Sequence, residues 1–368
     1  MKQRTFKLKE FAQDISVAVK DAQLSPLKRF VGLEHYDSNE PVITRFTDTS
    51  LLSSSVKEFS ENDILIARRN VYLRRAGIVF FSGLTSGDSI VLRIYNDCED
   101  RTGIPKDDAI RIIPFILNSN DFWAYANKHA DGMNSKRISK DMLYDYEFSL
   151  PPIEEQRILA DKLWAAYRLK ESYKKLLTAT QEMVKSQFIE MFGGMETTPV
   201  KDYIDDSFPG EWGAEDKDGN GVKVIRTTNF TNSGKLNLAD VVTRSIEDRK
   251  VARKQIKKYD TILERSGGTA DNPVGRVVLF EEDDLFLCNN FTQVLRFKDV
   301  DPRFAFYALY YFYQTNRTAI RSMGSKTTGI QNLNMSKYLE IGIPNASDED
   351  QKVFVTIAEQ ADKSEYYN

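Results

Sequence analysis

The sequence predicts an α+β protein in which two domains of mixed α and β content are joined by a long, coiled-coil-like helix, with a short helix at the C-terminal end. Three observations predict this. Strings from the first half return in the second half, in the same order and at nearly one offset. Between the two halves, the stretch from Glu154 to Phe192 holds neither Pro nor Gly. On both sides of it, short β-rich runs alternate with short helical patterns.

The repeat comes first because it sets the organisation. Ile138–Phe148 resembles Leu333–Ile343, and each leads into a Pro-containing exit, Pro151-Pro152 or Pro344. Acidic residues and a glutamine follow, Glu154-Glu155-Gln156 and Glu349-Asp350-Gln351. Gln156 and Gln351 lie 195 residues apart, as do Ile138 and Leu333. Upstream, Asn62–Leu65 resembles Tyr259–Leu263 at an offset of 197. Chance similarity of short strings explains one such match more easily than an ordered series. The expected layout is a domain at 1–150, a spacer helix at 151–195, a second domain at 196–346 and a short helix at 347–368.

The spacer begins after Pro151-Pro152, where Glu154 and Glu155 place negative charge in the first turn against the helix dipole. Gly193-Gly194 stops it. Leu159, Leu163, Ala166, Tyr173, Leu177, Val184 and Met191 mark an apolar stripe, interrupted at Lys170, Thr180 and Gln187. About 38 residues at ~1.5 Å each give a rod of roughly 57 Å. Such a stripe wants a partner helix. The last helix starts at Ser347, a suitable N-cap, and turns Val353, Phe354, Ile357, Ala358 and Ala361 to one face. In the flanking domains, Ala76–Phe81, Ser89–Ile94, Gly275–Phe280 and Phe291–Phe297 read as strands, while Asp121–His129 and Arg303–Asn316 read as helices.

Composition narrows the function. At 368 residues and 41% hydrophobic, the chain can bury two separate cores. Cys98 and Cys288 have no CxxC spacing, so neither a disulfide framework nor a zinc site is expected and a cytoplasmic setting is the default. Two histidines, His35 and His129, leave little material for metal sites or His-based triads. The opening MKQRTFKLKEF lacks the apolar core of a signal peptide, and no apolar run of about 18 residues suggests a membrane span. A net charge of −3 is neutral on nucleic acid, because a DNA reader needs local rather than total positive charge.

Local positive charge is present. Strand Ile64–Ala67 runs into Arg68, Arg69, Asn70, Tyr72, Arg74 and Arg75. Arginine offers a planar fork to guanine or phosphate, and asparagine can pair with adenine. Asn134, Lys136 and Arg137 cluster just before the exit strand. In the second half, Asp260–Glu264 leads into Arg265, Ser266, Gly267 and Gly268, where glycine lets backbone approach a phosphate. Arg276 follows. Arg226, Thr227 and Asn229 close another strand end, and Ser325, Lys326 and Thr327 are the positional partners of the Lys136 cluster. A solvated charged loop is the plain alternative for any one of these segments. The basic run Arg249–Lys258 is at least as well read as a solvated helix face.

Motifs for catalysis are missing. There is no GxGxxG and no P-loop, and the amino-methyltransferase signature fails at Asp271-Asn272-Pro273-Val274. The acidic stretch Glu281–Asp284 reads as a turn between strands, and His129 as a surface residue. No cofactor or metal is expected in this chain.

Leu150-Pro-Pro-Ile-Glu-Glu-Gln-Arg-Ile158, followed by a long helix ending Gln187-Phe-Ile-Glu-Met-Phe-Gly193, resembles the specificity subunit of Type I restriction–modification systems. Ala67–Arg75 and Gly83–Asp88 are similar to one target-recognition type; Arg265-Ser-Gly-Gly268 and Pro273-Val-Gly-Arg276 resemble another. The resemblance spans essentially the whole chain. It implies a non-catalytic subunit for bacterial defence and DNA methylation, with each target-recognition domain reading one half of a split, asymmetric site on double-stranded DNA. It implies helices packed antiparallel that set the spacing between halves and dock methylation subunits. S-adenosylmethionine, ATP and Mg would then belong to partner subunits, including restriction/translocase subunits where present. The family's second helix is about as long as its first; the shorter one here would leave part of the stripe open, a route to self-association through the central helix. A reading from another class is a non-catalytic coiled-coil adaptor that binds protein partners. The Arg- and Gly-rich loops at equivalent strand ends favour the DNA reader, since an adaptor does not require them.

Overall fold

The structure is a computed structural model that describes residues 3–15, 17–19, 22, 24–49, 56–133, 135–269, 271–327 and 330–366; the side chains of 326–327 and 363–366 lie outside this description. It divides into two compact units, Met1–Ser172 and Tyr173–Asn368. The helix Ile153–Phe192 runs without a break through the boundary.

In the first unit, strand Arg4–Lys7 pairs antiparallel with Glu147–Leu150, so the N-terminal strand lies beside the exit strand. A four-stranded sheet runs in the order Ala12–Asp14, Ser89–Ile94, Ile64–Ala67, Ala76–Ile78. Ile64–Ala67 is apolar throughout because both faces are covered: Ile64 and Ile66 enter one core, Leu65 and Ala67 another. The first core is closed by Phe11, Phe122 and Trp123, all fully buried. A second sheet, in the order Ala18–Val19, Val56–Phe59, Gly83–Ser86, Arg29–Val31, Thr47–Asp48, contains one parallel pair, Arg29–Val31 with Gly83–Ser86.

The second unit repeats this topology. Thr197–Pro199 pairs with Gly342–Pro344. The four-stranded sheet has the order Ile204–Pro209, Thr292–Phe297, Thr261–Glu264, Val277–Leu279. The accompanying sheet again holds one parallel pair, Val222–Ile225 with Phe286–Cys288. Leu263 and Leu295 face one core, Ile262 and Val294 the other.

The repeat extends to single hydrogen bonds. Asp63, 1% exposed, accepts from Arg93 Nε and Nη2, both at 2.7 Å, and from the Ser60 amide at 2.7 Å. Asp260, 3% exposed, accepts from Arg296 Nε and Nη2 at 2.9 and 2.7 Å and from the Lys257 amide at 2.7 Å. A buried carboxylate needs such saturation, since an unpaired charge away from water is costly. The buried glutamines also match: Gln156 Nε2 donates to the Pro151 carbonyl, and Gln351 Nε2 to that of Ala346. Ser347 caps the last helix, Asp348–Tyr366, by accepting from the Asp350 amide.

The long helix departs from its expected stripe. Leu163, Val184 and Met191 pack on a core, whereas Leu159, Ala166, Tyr173 and Leu177 are exposed. The fully buried positions are Gln156 and Ala160 in the first unit and Val184, Phe188 and Phe192 in the second. The reason is that each end of the helix packs on its own domain through residues four apart, not along one continuous seam. In the second unit, Phe354 of the last helix meets Phe188 and Phe192 at 5.1 and 5.7 Å between ring centres. Farther along, Ala358 and Ala361 share a cavity wall with Val184 and Thr180, so the two helices pack antiparallel. No helix among the described residues is long and apolar enough to cross a membrane.

Candidate nucleic-acid interface

In the first unit, strand Ile64–Ala67 delivers the chain to a loop over 68–75, held against the segment 131–138. The Asn70 amide donates to the Lys136 carbonyl (2.7 Å), the Ile138 amide to that of Arg68 (3.0 Å), and Arg69 bridges Arg137. The chain reverses at Asn70, whose φ of +56° asparagine tolerates better than most residues. Arg69 Nε donates to Ser135 Oγ (2.9 Å), and Ser135 Oγ donates to Asn70 Oδ1 (3.0 Å). Arg69 and Arg137 stand on either side of the Asp88 carboxylate at 3.7 and 3.6 Å. Lys136 is exposed and Tyr72 is 60% exposed. Arg68 is half-buried, and its Nε has no hydrogen-bond partner among the described residues. Arg74 Nη1 is used on Asn120 Oδ1.

Arg75 has an internal task. It donates to the carbonyls of Leu33 (2.9 Å) and Arg69 (3.0 Å), and burial lowers its pKa from the usual guanidinium value. It buckles the loop onto the 3-10 turn Leu33–His35.

The second unit uses the same construction. The Leu333 amide donates to the Arg265 carbonyl (2.8 Å), and Ser266 and Gly267 pair with Asn332 and Gln331. Gly267, at φ +110°, stands where Asn70 stands in the first unit. Arg276 matches Arg75. It donates to the Thr227 carbonyl (3.4 Å) in the 3-10 turn Thr227–Asn229, and through Nε (2.7 Å) and Nη2 (3.2 Å) to Glu264, itself 2% exposed. Asn229 is 3% exposed and fully occupied: Oδ1 accepts from the Arg226 amide, and Nδ2 donates to the Asn237 and Asp240 carbonyls. Arg226 is tied to Asp240 at 3.0 Å. Ser266 is buried, its Oγ donating to Asn332 Oδ1 (2.7 Å).

Of the residues expected from sequence, Arg68, Arg69, Asn70, Tyr72, Lys136 and Arg137 thus come together in one cluster. Arg265, Gly267, Gly268 and the exposed Ser325 lie along the equivalent loop and hairpin. Arg75, Arg226, Asn229, Ser266 and Arg276 have internal partners instead. Lys326 and Thr327 pair through their backbones, but their side chains, like the whole of Asn134, lie outside the described residues. In the basic helix Asp248–Lys254, Lys250 and Lys254 face Glu211, whose pKa is held down by the Lys254 hydrogen bond first of all. Sequence reasoning carried Asp88 only as the end of the motif Gly83–Asp88 and named neither Ser135 nor Gln293 as a site residue. Arg265 Nη1 reaches Gln293 Oε1 at 3.4 Å, a contact across strands with no local sequence signal.

The arrangement presents guanidinium forks and an ammonium on loops that are anchored from beneath. Such groups bond phosphate oxygens or base edges without further ordering. Gly268 illustrates the constraint. At φ +60°, a Cβ there would sit 2.8 Å from the Val274 backbone nitrogen. Gly268→Ala is expected to cost about 1–3 kcal/mol, read as a lowered urea midpoint for the second unit with an unchanged slope.

Residues 207–365 match the family model for the Type I restriction modification DNA specificity domain. Among solved structures, the Type-I restriction-modification system S subunit from M. genitalium aligns at a TM-score of 0.54 and 12% identity, covering 100% of this chain and 92% of that one. The HsdS subunit from Thermoanaerobacter tengcongensis aligns at 0.36 and 15% identity, covering 98% and 89%. A chain from a study of type I R-M complex assembly and conformational transition aligns at 0.48 and 16% identity, covering 98% and 90%. No curated protein matches the chain. The M. genitalium likeness shows a shared fold of two domains joined by a helix.

Proposed function

We propose, from the match of residues 207–365 to the family model for the Type I restriction modification DNA specificity domain, that the whole chain is the non-catalytic DNA-reading subunit of a Type I restriction–modification complex. Each domain reads one half of a bipartite, asymmetric site in double-stranded DNA. The observation that carries this reading is the duplicated loop pair. Segments 68–75 with 131–138, and 265–276 with 324–333, hang on the same strands through equivalent hydrogen bonds but carry different side chains. One scaffold with two loop sets suits two half-sites of different sequence.

In the first domain, Arg69, Lys136 and Arg137 meet the duplex, with Tyr72 and Asn70 beside them. In the second, Arg265 and the Gly267-Gly268 backbone do so, with Ser325, Lys326 and Thr327 on the adjoining hairpin. Arg75, Arg226, Asn229, Ser266 and Arg276 hold these loops in shape. The helices set the spacing between half-sites and dock methylation subunits, which bind S-adenosylmethionine; restriction/translocase subunits supply ATP- and Mg-dependent work. The complex acts in the cytoplasm.

Exchange of segment 196–346 for that of a subunit with another specificity tests this. Mapping of methylated bases in a host expressing the exchanged protein is expected to show one half of the site changed and the other kept. A change in both halves, or in neither, would refute two independent readers.

A further inference from the structure

We propose that Asp88 and Phe291 occupy one structurally equivalent position in the two domains and are specificity determinants for their half-sites, Asp88 by charge and Phe291 by apolar contact. The inference rests on the DNA-reading function proposed above.

The equivalence follows from the ladders. Arg93 and Arg296, each five residues on, bind the matching buried carboxylates Asp63 and Asp260. The carbonyl of Asp88 accepts from the Arg68 amide at 3.0 Å, and that of Phe291 from the Arg265 amide at 2.9 Å. Arg68 and Arg265 are themselves equivalent, since the amides of Ile138 and Leu333 donate to their carbonyls. One backbone position therefore lies against the start of the reading loop in both domains, and its side chain differs completely between them.

In the first domain the Asp88 carboxylate stands between Arg69 and Arg137, in charge contact with both but beyond hydrogen-bonding distance of either guanidinium. It is 28% exposed at the side chain, so water does not fully screen it. A phosphate that approaches either arginine meets this like charge. The contact is favourable when the arginine also gains a base edge and poor when it gains phosphate alone. Asp88 thereby suppresses indiscriminate backbone binding, which is the sequence-independent part of affinity. In the second domain Phe291 is 39% exposed and carries no charge. An exposed ring on the residue whose carbonyl accepts from the Arg265 and Ser266 amides suits van der Waals contact with a thymine methyl group, a readout that needs no hydrogen bond.

The test uses the assembled complex with its methylation subunits, a cognate duplex, a scrambled duplex and a salt series. Asp88→Asn is expected to bind the scrambled duplex about tenfold tighter, with a salt slope steeper by about 1, as a freed cation takes up a phosphate. Asp88→Glu keeps the charge and is expected to stay within about twofold of wild type. Phe291→Ala is expected to leave scrambled-duplex affinity and salt slope unchanged while lowering base discrimination about tenfold in one half-site only. Phe291→Leu, which preserves bulk, guards against loss of folding and is expected to show the same selective loss in weaker form. If Asp88→Asn binds the scrambled duplex like wild type, or the Phe291 variants methylate with unchanged sequence preference, the inference is wrong while the DNA-reading function stands. If wild type itself prefers neither duplex, that function falls and takes the inference with it.

Discussion

Charge reversal at Arg69 and Arg137 together, each to Glu, is expected to weaken binding of the cognate duplex by the assembled complex about 100-fold at moderate salt and to flatten its salt dependence by about 2 in slope. Both side chains are exposed, both lie on the loop pair of the first domain, and each is held by the same neighbour, Asp88. Reversal removes two cations from the phosphate field and adds two anions beside a third. Arg68, the more obvious target from sequence, is half-buried at the start of the loop, where its backbone is bonded to Asp88 and Ile138, so its substitution would mix folding with binding. Titration of a labelled duplex over a salt series reads the effect. Affinity and slope matching wild type would show that this face does not meet DNA. Because Arg69 also bonds Ser135, circular dichroism and a denaturation midpoint for the variant separate lost binding from lost structure.

Asp260→Ala is expected to destabilise the second unit by about 3–5 kcal/mol, because it removes one partner of a buried charge pair and leaves the other without its match. Asp260 accepts two bonds from Arg296 and one from the Lys257 amide, and Arg296 is only 18% exposed at the side chain. Of the other acidic neighbours, Asp205 and Asp206, the latter lies 3.7 Å from Arg296 and is itself 52% exposed, a poor substitute. The equivalent substitution Asp63→Ala is expected to cost less, since Arg93 is 38% exposed and can turn to water. Urea unfolding of the two variants checks the order. Equal midpoints would mean that exposure of the arginine does not set the cost.

Much of the fold was legible because its signals are local or repeated. Strands at Ser89–Ile94 and Thr292–Phe297, and helices at Asn120–Lys128 and Pro302–Thr315, lie within a residue or so of where periodicity put them. The helix Lys106–Ile116 was not, because Pro114 removes an amide bond and crowds the carbonyl four residues back, which argues against a helix in sequence; burial of Ala109, Ile112, Ile113 and Pro114 itself carries the helix through it. The apolar stripe of the long helix was only partly right. Its period was read as a single seam, but Phe188 and Phe192 belong to a different packing surface from Ala160.

The interface divides the same way. Arginine density after Ile64–Ala67 and the glycines after Thr261–Glu264 mark the loops in sequence alone. Which arginines remain available was settled by residues far away in the chain. Arg75 is drawn onto Leu33, and Arg276 onto Thr227 and Glu264, because the second sheet of each domain brings its 3-10 turn under the loop. Asp88 reaches Arg69 and Arg137 only through strand pairing.

By itself, then, the sequence determined the duplicated architecture, the joining helix and the loops that carry charge, since these follow from periodicity, helix and turn chemistry, and repeated strings along the chain. Tertiary structure alone decided which of those charges are spent inside and which are presented. A guanidinium's partner is chosen by distance in space, and the pairings that set those distances link residues tens of positions apart.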